Sequence, residues 1–173
     1  MRNSVVAVVS LAMGAVAAVT AGAVGAAEPS VDERAGKWQI SCYDNDTDRY
    51  RDCYVARDAL AVLVSSSGYE LVIVGHGKAL RPESAMHVHV DGNAPMFWRE
   101  DDLHADDIFS LAIKQFKAGT AVSLKWTDGQ SGQHIRAKVS LIGFTKAYRR
   151  SQEIIADYKP RVEPRWYRRS PRE

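Results

Sequence analysis

The chain has 173 residues, of which 46% are hydrophobic and 25% are charged, a composition that fits a globular domain and excludes disorder throughout. Its formal net charge of +2 gives no indication of nucleic-acid binding, and its two cysteines are too few for a disulfide-dense miniature scaffold. Residues 28–145 carry 13 basic and 17 acidic side chains, whereas residues 146–173 carry 9 basic and 4 acidic ones. The sequence therefore predicts an acidic body with a basic C-terminal end.

The first 27 residues match the pattern of a secretory signal peptide. Arg2 supplies a positive start, and residues 5–25 form a long apolar run that is followed by small residues up to Ala27. The alternative is an uncleaved membrane anchor, because the apolar run is about long enough to span a bilayer. We expect cleavage after Ala27, which leaves a domain over residues 28–158 in the periplasm or associated with the outer envelope.

Alternation of apolar and polar residues predicts strands along the first part of this domain. Residues 36–42 place Trp38 and Cys42 on one face, and residues 53–58 begin a second strand at Cys53. A polar loop joins the two strands into a long hairpin. Continuous apolar runs follow and predict strands that are buried on both faces, before alternation returns. The predicted strands after the hairpin are 59–64, 69–74, 85–91 and 94–100.

Residues 101–119 change to helical spacing, which places Ile108, Leu111, Ala112 and Phe116 on one face, and Gly119 follows as a cap. Later in the chain, strands are predicted over 121–127 and 134–141, and a helix over 143–158. We therefore predict a mostly β fold, an antiparallel β-sandwich or barrel-like domain with one inserted helix and a C-terminal helix.

Several short motifs follow one another along the chain. They are GKWQISC at 36–42, a second cysteine at 53, a strand ending in Val90-Asp91, a helix ending in Lys117 and Gly119, and VSLIGFTKAY at 139–148. Together with the leader, this order resembles the invasion-associated locus B (IalB) family of bacterial extracytoplasmic proteins. Members of that family commonly carry a second cysteine pair ahead of the helix, whereas this chain has no cysteine there.

The resemblance implies a non-enzymatic protein of the periplasm or outer envelope that binds another envelope component or a membrane protein. It implies no cofactor and brings no catalytic residues, and any function tied to the second cysteine pair is not carried over. An enzyme of unrecognised type is one alternative. The sequence contains no Gly-x-Ser-x-Gly elbow, His-Glu-x-x-His pair or glycine-rich phosphate loop that would identify a known type.

Cys42 and Cys53 face the same side of two strands that are predicted to pair. In an oxidising periplasm, two thiols placed in this way should form a disulfide. Closing a loop of this length contributes about 3 kcal/mol to stability in the chain-entropy model. The spacing is far from Cys-x-x-Cys, so we predict a structural bridge rather than a redox-active pair.

His87, His89 and Asp91 lie two residues apart and therefore share one face of a predicted strand. Two imidazoles and a carboxylate are ligands that zinc and copper accept. The second alternative is therefore a periplasmic metal-binding protein. Against it, no fourth ligand has a recognisable spacing, and the intervening apolar residues form a core face that leaves both histidines toward solvent.

Two further groups of charged residues are candidates for binding. Lys125, Arg136 and Lys138 form a basic face if strands 121–127 and 134–141 pair, or else an ordinary solvated sheet face. The tail 159–173 carries six basic and two acidic residues and three prolines that prevent a regular helix. It suits an envelope protein, a membrane complex or an anionic membrane surface, with a solvated terminus as the alternative. The candidate docking residues in the tail are Arg165, Trp166, Tyr167, Arg168 and Arg169.

Overall fold

The computed structural model describes residues 28–45, 49–75, 85–99 and 106–159. These residues form nine strands in two antiparallel sheets and two helices. The first sheet contains, in spatial order, β1 (Val31–Ala35), β2 (Trp38–Asn45), β3 (Tyr50–Arg57), β4 (Leu60–Ser65) and β5 (Glu70–Val74). The later elements are β6 (Met86–Val90), β7 (Met96–Trp98), α1 (Asp106–Ala118), β8 (Ala121–Thr127), β9 (His134–Ser140) and α2 (Phe144–Ala156).

The architecture confirms the mostly β prediction, with α1 inserted between β7 and β8 and α2 closing the domain. The second sheet has the order β7-β6-β8-β9, and within the described residues the two sheets stay separate and do not close into a barrel. No helix among these residues has the length and apolar character needed to span a membrane.

One strand was not predicted. β1 reads VDERA, and three of its five residues are charged, so apolar alternation does not reveal it. It pairs only with β2 and forms the edge of the five-stranded sheet, where charged side chains reach solvent from both faces. The edge position therefore explains why β1 contains charged residues in place of an alternating apolar pattern.

The inner face of the five-stranded sheet is apolar. Trp38 and Ile40 on β2 and Val55 on β3 are fully buried, as the alternation predicts. Every residue of β4 is buried, which agrees with its continuous apolar run. The same prediction is wrong for β5, which is only partly buried because it lies at the other edge of the sheet.

Aromatic contacts join the helices to this face. The Phe144 ring lies 5.1 Å from the Trp38 ring and 5.7 Å from the Phe116 ring, in edge-to-face geometry. The Trp38 indole N–H donates to the Ile142 carbonyl oxygen at 3.1 Å, which satisfies a buried donor. α2 is thereby fixed across the first sheet.

The buried stripe of α1 agrees with the prediction at Ala112 and Phe116 but not at Leu111. Phe109, Ala112, Ile113 and Phe116 are buried, whereas Leu111 is 47% exposed. The buried stripe also includes Phe109 and Ile113, and Ile108 packs against the core while partly buried, so the prediction is wrong for Leu111 alone. Trp98 of β7 and Phe109 stack edge to face at 5.6 Å, so α1 also packs against the second sheet.

Candidate functional site

The structure contains the predicted bridge between Cys42 and Cys53. The two residues lie directly opposite each other on β2 and β3, and both are fully buried on the inner face. Their burial shields the bridge from reductants in solvent. The bridge therefore links β2 and β3 within the core.

β6 presents His87 and His89 on the outer face of the four-stranded sheet, while the residues between them are buried. The predicted third ligand, Asp91, has a different role. It adopts a positive φ of 45° beyond the strand, and its carboxylate accepts the Thr120 N–H at 2.8 Å, the Thr120 hydroxyl at 3.0 Å and the Ala121 N–H at 3.0 Å. These hydrogen bonds lower the pKa of the Asp91 carboxyl. Among the described residues, no group of three or more His, Cys, Asp or Glu side chains is placed to hold a metal ion.

The two histidines lie beside the predicted basic residues. Lys125 of β8 is opposite His87 of β6 on one side and Arg136 of β9 on the other. Lys138 is opposite Ser123, one step along the same face. This register confirms the predicted pairing of the two strands. We define the basic face as the exposed residues His87, His89, Lys125, His134, Arg136 and Lys138.

A shallow groove of about 430 Å³ runs along this face and is lined by His87, Lys125, His134 and Arg136, among others. The Phe97 ring stands beside it, 53% exposed, with its centre 4.7 Å from the His87 ring. The groove thus carries positive charge and has an exposed aromatic ring next to its His87 wall, and arginine and aromatic side chains are both frequent in protein interfaces.

A second polar surface lies on the outer face of the five-stranded sheet, and the sequence reasoning missed it. Asp52 of β3 is opposite Tyr43 of β2 and Ser65 of β4. Tyr50 and Tyr54 are two residues to either side of Asp52 and share its face. The pattern Tyr-x-Asp-x-Tyr was the available signal.

Tyr69 completes this group from the turn before β5, where its hydroxyl donates to Asp52 Oδ2 at 3.4 Å. The Tyr43 and Tyr54 rings meet edge to face at 5.8 Å. We define the tyrosine cluster as Tyr43, Tyr50, Asp52, Tyr54 and Tyr69. Burial, followed by the nearby Asp52 charge, raises the pKa of Tyr54 to about 12.

Asp52 itself is incompletely satisfied. Its Oδ1 atom is buried and accepts no hydrogen bond within the described part of the chain. Burial raises the pKa of the Asp52 carboxyl, and hydrogen bonds from Ser65 and Tyr69 act in the opposite direction. A buried acceptor without a donor is costly, so this atom calls for an explanation.

A concavity of about 460 Å³ lies beside the cluster, between the β4–β5 turn, α1 and the end of α2. Ser65, Tyr69, Glu70 and Gln152 are among the residues that line it. The Tyr148 hydroxyl donates a hydrogen bond to the Glu70 carboxylate, so Glu70 already has a partner within the protein. The concavity therefore offers a mixed polar and apolar wall next to Tyr69.

A third groove, of about 650 Å³, separates β1 from α2. Arg150 spans it and donates to both carboxylate oxygens of Glu33 at 2.9 Å. Arg34, Lys146 and Arg149 surround this pair. Because Arg150 already has a bidentate partner in Glu33, we interpret this ion pair as a structural link that holds the edge strand β1 against α2.

Two predicted segments lie outside the described residues. They are the leader, residues 1–27, and all the docking candidates of the tail from Arg165 to Arg169. The last described contact before the tail places the Arg51 guanidinium 4.7 Å from the centre of the Tyr158 ring. The chain thus enters the tail beside β3.

No family model matches the chain. No curated protein sequence matches it either. Among solved structures, the chain is similar to invasion associated protein B from Bartonella henselae, with 17% sequence identity and a TM-score of 0.43 over 74% of this chain and 100% of that chain.

Proposed function

We propose that this chain is a non-enzymatic envelope protein of the invasion-associated locus B type, which binds an anionic envelope component through the basic face. The motif order in the sequence and the expected leader support the extracytoplasmic location. The buried disulfide supports it as well, because such bridges persist in oxidising compartments. The observation that carries the binding proposal is the strand register that aligns Lys125, Arg136 and Lys138 on one exposed face.

The charge of this face is available to a partner. Lys125 and Arg136 are exposed and form no ion pair with any of the described acidic residues. The body to which they belong is acidic overall, so a positive surface on it is a local feature that steers an anionic partner to this sheet. Phe97 beside the groove adds an apolar contact that fixes orientation.

The same charges bear on the metal alternative. Lys125 is opposite His87, so a divalent cation bound at that histidine would meet a like charge on the next strand. Opposite charges attract and like charges repel at such separations, which favours an anion over a metal ion here. Metal binding by His87 and His89 stays a prediction of the sequence.

The test uses co-sedimentation of the purified protein with isolated bacterial envelope fragments. The double variant Lys125→Glu/Arg136→Glu reverses the basic face, and Lys114→Glu/Lys146→Glu makes the same charge change at exposed helical positions. All four residues are solvent-exposed, so both variants should keep the thermal unfolding midpoint of the parent protein.

We expect the basic-face variant to bind at least about tenfold more weakly and the helix variant to bind like the parent. Raised salt should weaken parental binding, because the attraction is screened. Equal losses in the two variants would show that only net charge matters and would overturn the proposal. Fragments stripped of protein by protease then distinguish a protein partner from a lipid or glycan.

A further inference from the structure

The tyrosine cluster has no part in the proposed function, because it lies on the outer face of the other sheet. We infer that this cluster is a second binding site, which takes the primary ammonium group of an alkylamine at the Asp52 carboxylate. The inference does not depend on the basic face or on its partner.

The first support is the unmet acceptor. Asp52 Oδ1 is buried and receives no donor from the described residues, and the hydrogen bonds of the carboxylate come from the uncharged hydroxyls of Ser65 and of Tyr69, the latter at 3.4 Å from Oδ2. The neighbours opposite Asp52 across the sheet are Tyr43 and Ser65, which are uncharged. A bound N–H donor that carries positive charge supplies both the missing hydrogen bond and the missing counter-charge.

The second support is the ring of tyrosines. A cation beside aromatic rings is attracted by their electron-rich faces, and tyrosine side chains form cages of this kind. The positions of these rings are fixed by their neighbours. Tyr43 and Tyr54 pack edge to face, and the Asn45 side-chain amide donates to the Tyr50 hydroxyl at 3.0 Å.

The third support is access. Tyr69 is 45% exposed and covers the carboxylate from the β4–β5 turn, next to the concavity of about 460 Å³ that it also lines. Rotation of this exposed side chain would uncover Oδ2, the carboxylate oxygen that its hydroxyl contacts, and Tyr69 separates that oxygen from the concavity, which Asp52 itself does not line. Tyr69 is therefore the movable wall of the site.

The ligand class follows from the chemistry of the acceptor. A quaternary ammonium ion has the charge but no N–H to donate, and an alcohol has a donor but no charge. A primary alkylammonium ion has both. Such a group is carried by free amines and by the ethanolamine headgroup of a lipid, and the two sources are separable by experiment.

In the first experiment, the full chain is titrated separately with n-butylammonium chloride, n-butanol and tetramethylammonium chloride. Binding is measured by calorimetry and by NMR of the tyrosine ring signals. We expect n-butylammonium to shift the cluster signals and to bind about tenfold or more tightly than either comparison compound. Equal affinity for n-butylammonium and n-butanol would overturn the inference.

Variants test the residues. Asp52→Asn should lose n-butylammonium binding, whereas Asp107→Asn, the same change at an exposed helical position, should keep it. Tyr69→Ala removes a side chain that is 45% exposed and its hydrogen bond to Asp52, so the variant should still fold cooperatively but should bind n-butylammonium more weakly. Retained binding in both Asp52→Asn and Tyr69→Ala would contradict the assignment of the site.

The source of the amine is tested with uncharged vesicles, on which the basic residues of the protein have no net electrostatic attraction. Sedimentation with phosphatidylethanolamine-containing vesicles but not with phosphatidylcholine vesicles identifies the lipid headgroup. Binding of n-butylammonium without vesicle sedimentation identifies a free amine. If neither occurs, the site does not exist.

Discussion

Asp91 shows how a residue that looks like a metal ligand in the sequence serves the backbone instead. A positive φ of 45° directs its carboxylate toward the start of β8, where it accepts two backbone N–H groups and one hydroxyl. Aspartate tolerates this left-handed conformation better than most residues. The sequence spacing relative to His87 and His89 was correct for a strand, but the strand ends at Val90.

The hydrogen bonds of Asp91 make stability depend on pH. They lower the carboxyl pKa in the folded state from the ordinary value of 3.8, so their contribution is complete above that value. It is lost as the pH falls through the lower, folded-state pKa. We expect the native protein to have a higher thermal unfolding midpoint than the Asp91→Asn variant at pH 7. The difference between the two midpoints should shrink below pH 3.8.

The measurement is a series of thermal unfolding curves from neutral to acidic pH. Asp58→Asn is the matched control, because Asp58 also has a positive φ, at 51°, but its contact is an ion pair with Arg57 at 3.5 Å. A constant difference between native protein and Asp91→Asn at all pH values would contradict the role of the carboxylate charge.

At the scale of elements, periodicity predicts this fold well wherever a strand has one buried face. β2, β3, β6 and β8 alternate in sequence and in burial, and their predicted spans differ from the observed ones only at the ends. β1 escaped prediction because an edge strand buries too little to require alternation. β9 also lies at an edge, and its apolar residues Ile135 and Ala137 are only half-buried.

The candidate sites divide in the same way. The basic face was predictable because Lys125 and Arg136 lie on consecutive strands joined by a short turn. Strands connected in this way usually pair, so residues on them become neighbours in space. The tyrosine cluster combines β2 and β3 with Tyr69 from beyond β4. That combination depends on which strands are adjacent, a tertiary fact that no local pattern contains.

The junction between α1 and β8 depends on a glycine. A Cβ atom at Gly119 would collide with Val90 Cγ1 and would lie 3.0 Å from Asp91 Oδ2 and 3.1 Å from the Gln115 carbonyl oxygen. Gly119→Ala should therefore lower the free energy of unfolding by about 1–3 kcal/mol, the usual cost of overpacking. Chemical denaturation measures this loss directly.

Gly92→Ala is the control for this substitution. Gly92 lies on the same side of the molecule, close to Val90 and Asp91 in sequence, but a Cβ atom there meets nothing within 4 Å. We expect it to change the free energy of unfolding by less than about 0.5 kcal/mol. Similar losses in both variants would show that close approach to β6 is not the reason for glycine at position 119.

At the scale of the whole molecule, the two sheets turn different chemistry outward. The four-stranded sheet presents Lys125, Arg136 and Lys138, whereas the five-stranded sheet presents Asp52 among tyrosines. The inner faces of both sheets and the buried faces of both helices form a single hydrophobic core, which includes the disulfide. We therefore expect binding at either outer face to leave the core undisturbed, so the two proposed sites can be tested independently.

The basic tail, residues 159–173, leads to the last prediction. It follows Tyr158, whose ring packs against Arg51, so a chain ending at Tyr158 keeps the last described contact of the body. The tail carries six basic and two acidic residues. Each basic residue near an anionic surface contributes about 1 kcal/mol, so we expect deletion of residues 159–173 to weaken membrane association about 100-fold or more.

The measurement is sedimentation with anionic vesicles at low and at high salt, with circular dichroism to verify that the shortened chain stays folded. The variant Arg165→Gln/Arg168→Gln/Arg169→Gln keeps the length and both aromatic residues of the tail but removes three charges. If charge drives docking, this variant should behave like the deletion, and added salt should release the parent protein because the attraction is screened. If Trp166 and Tyr167 dominate instead, the variant should stay bound at high salt. A parent protein that never sediments with anionic vesicles at low salt would leave the tail without a docking role on membranes.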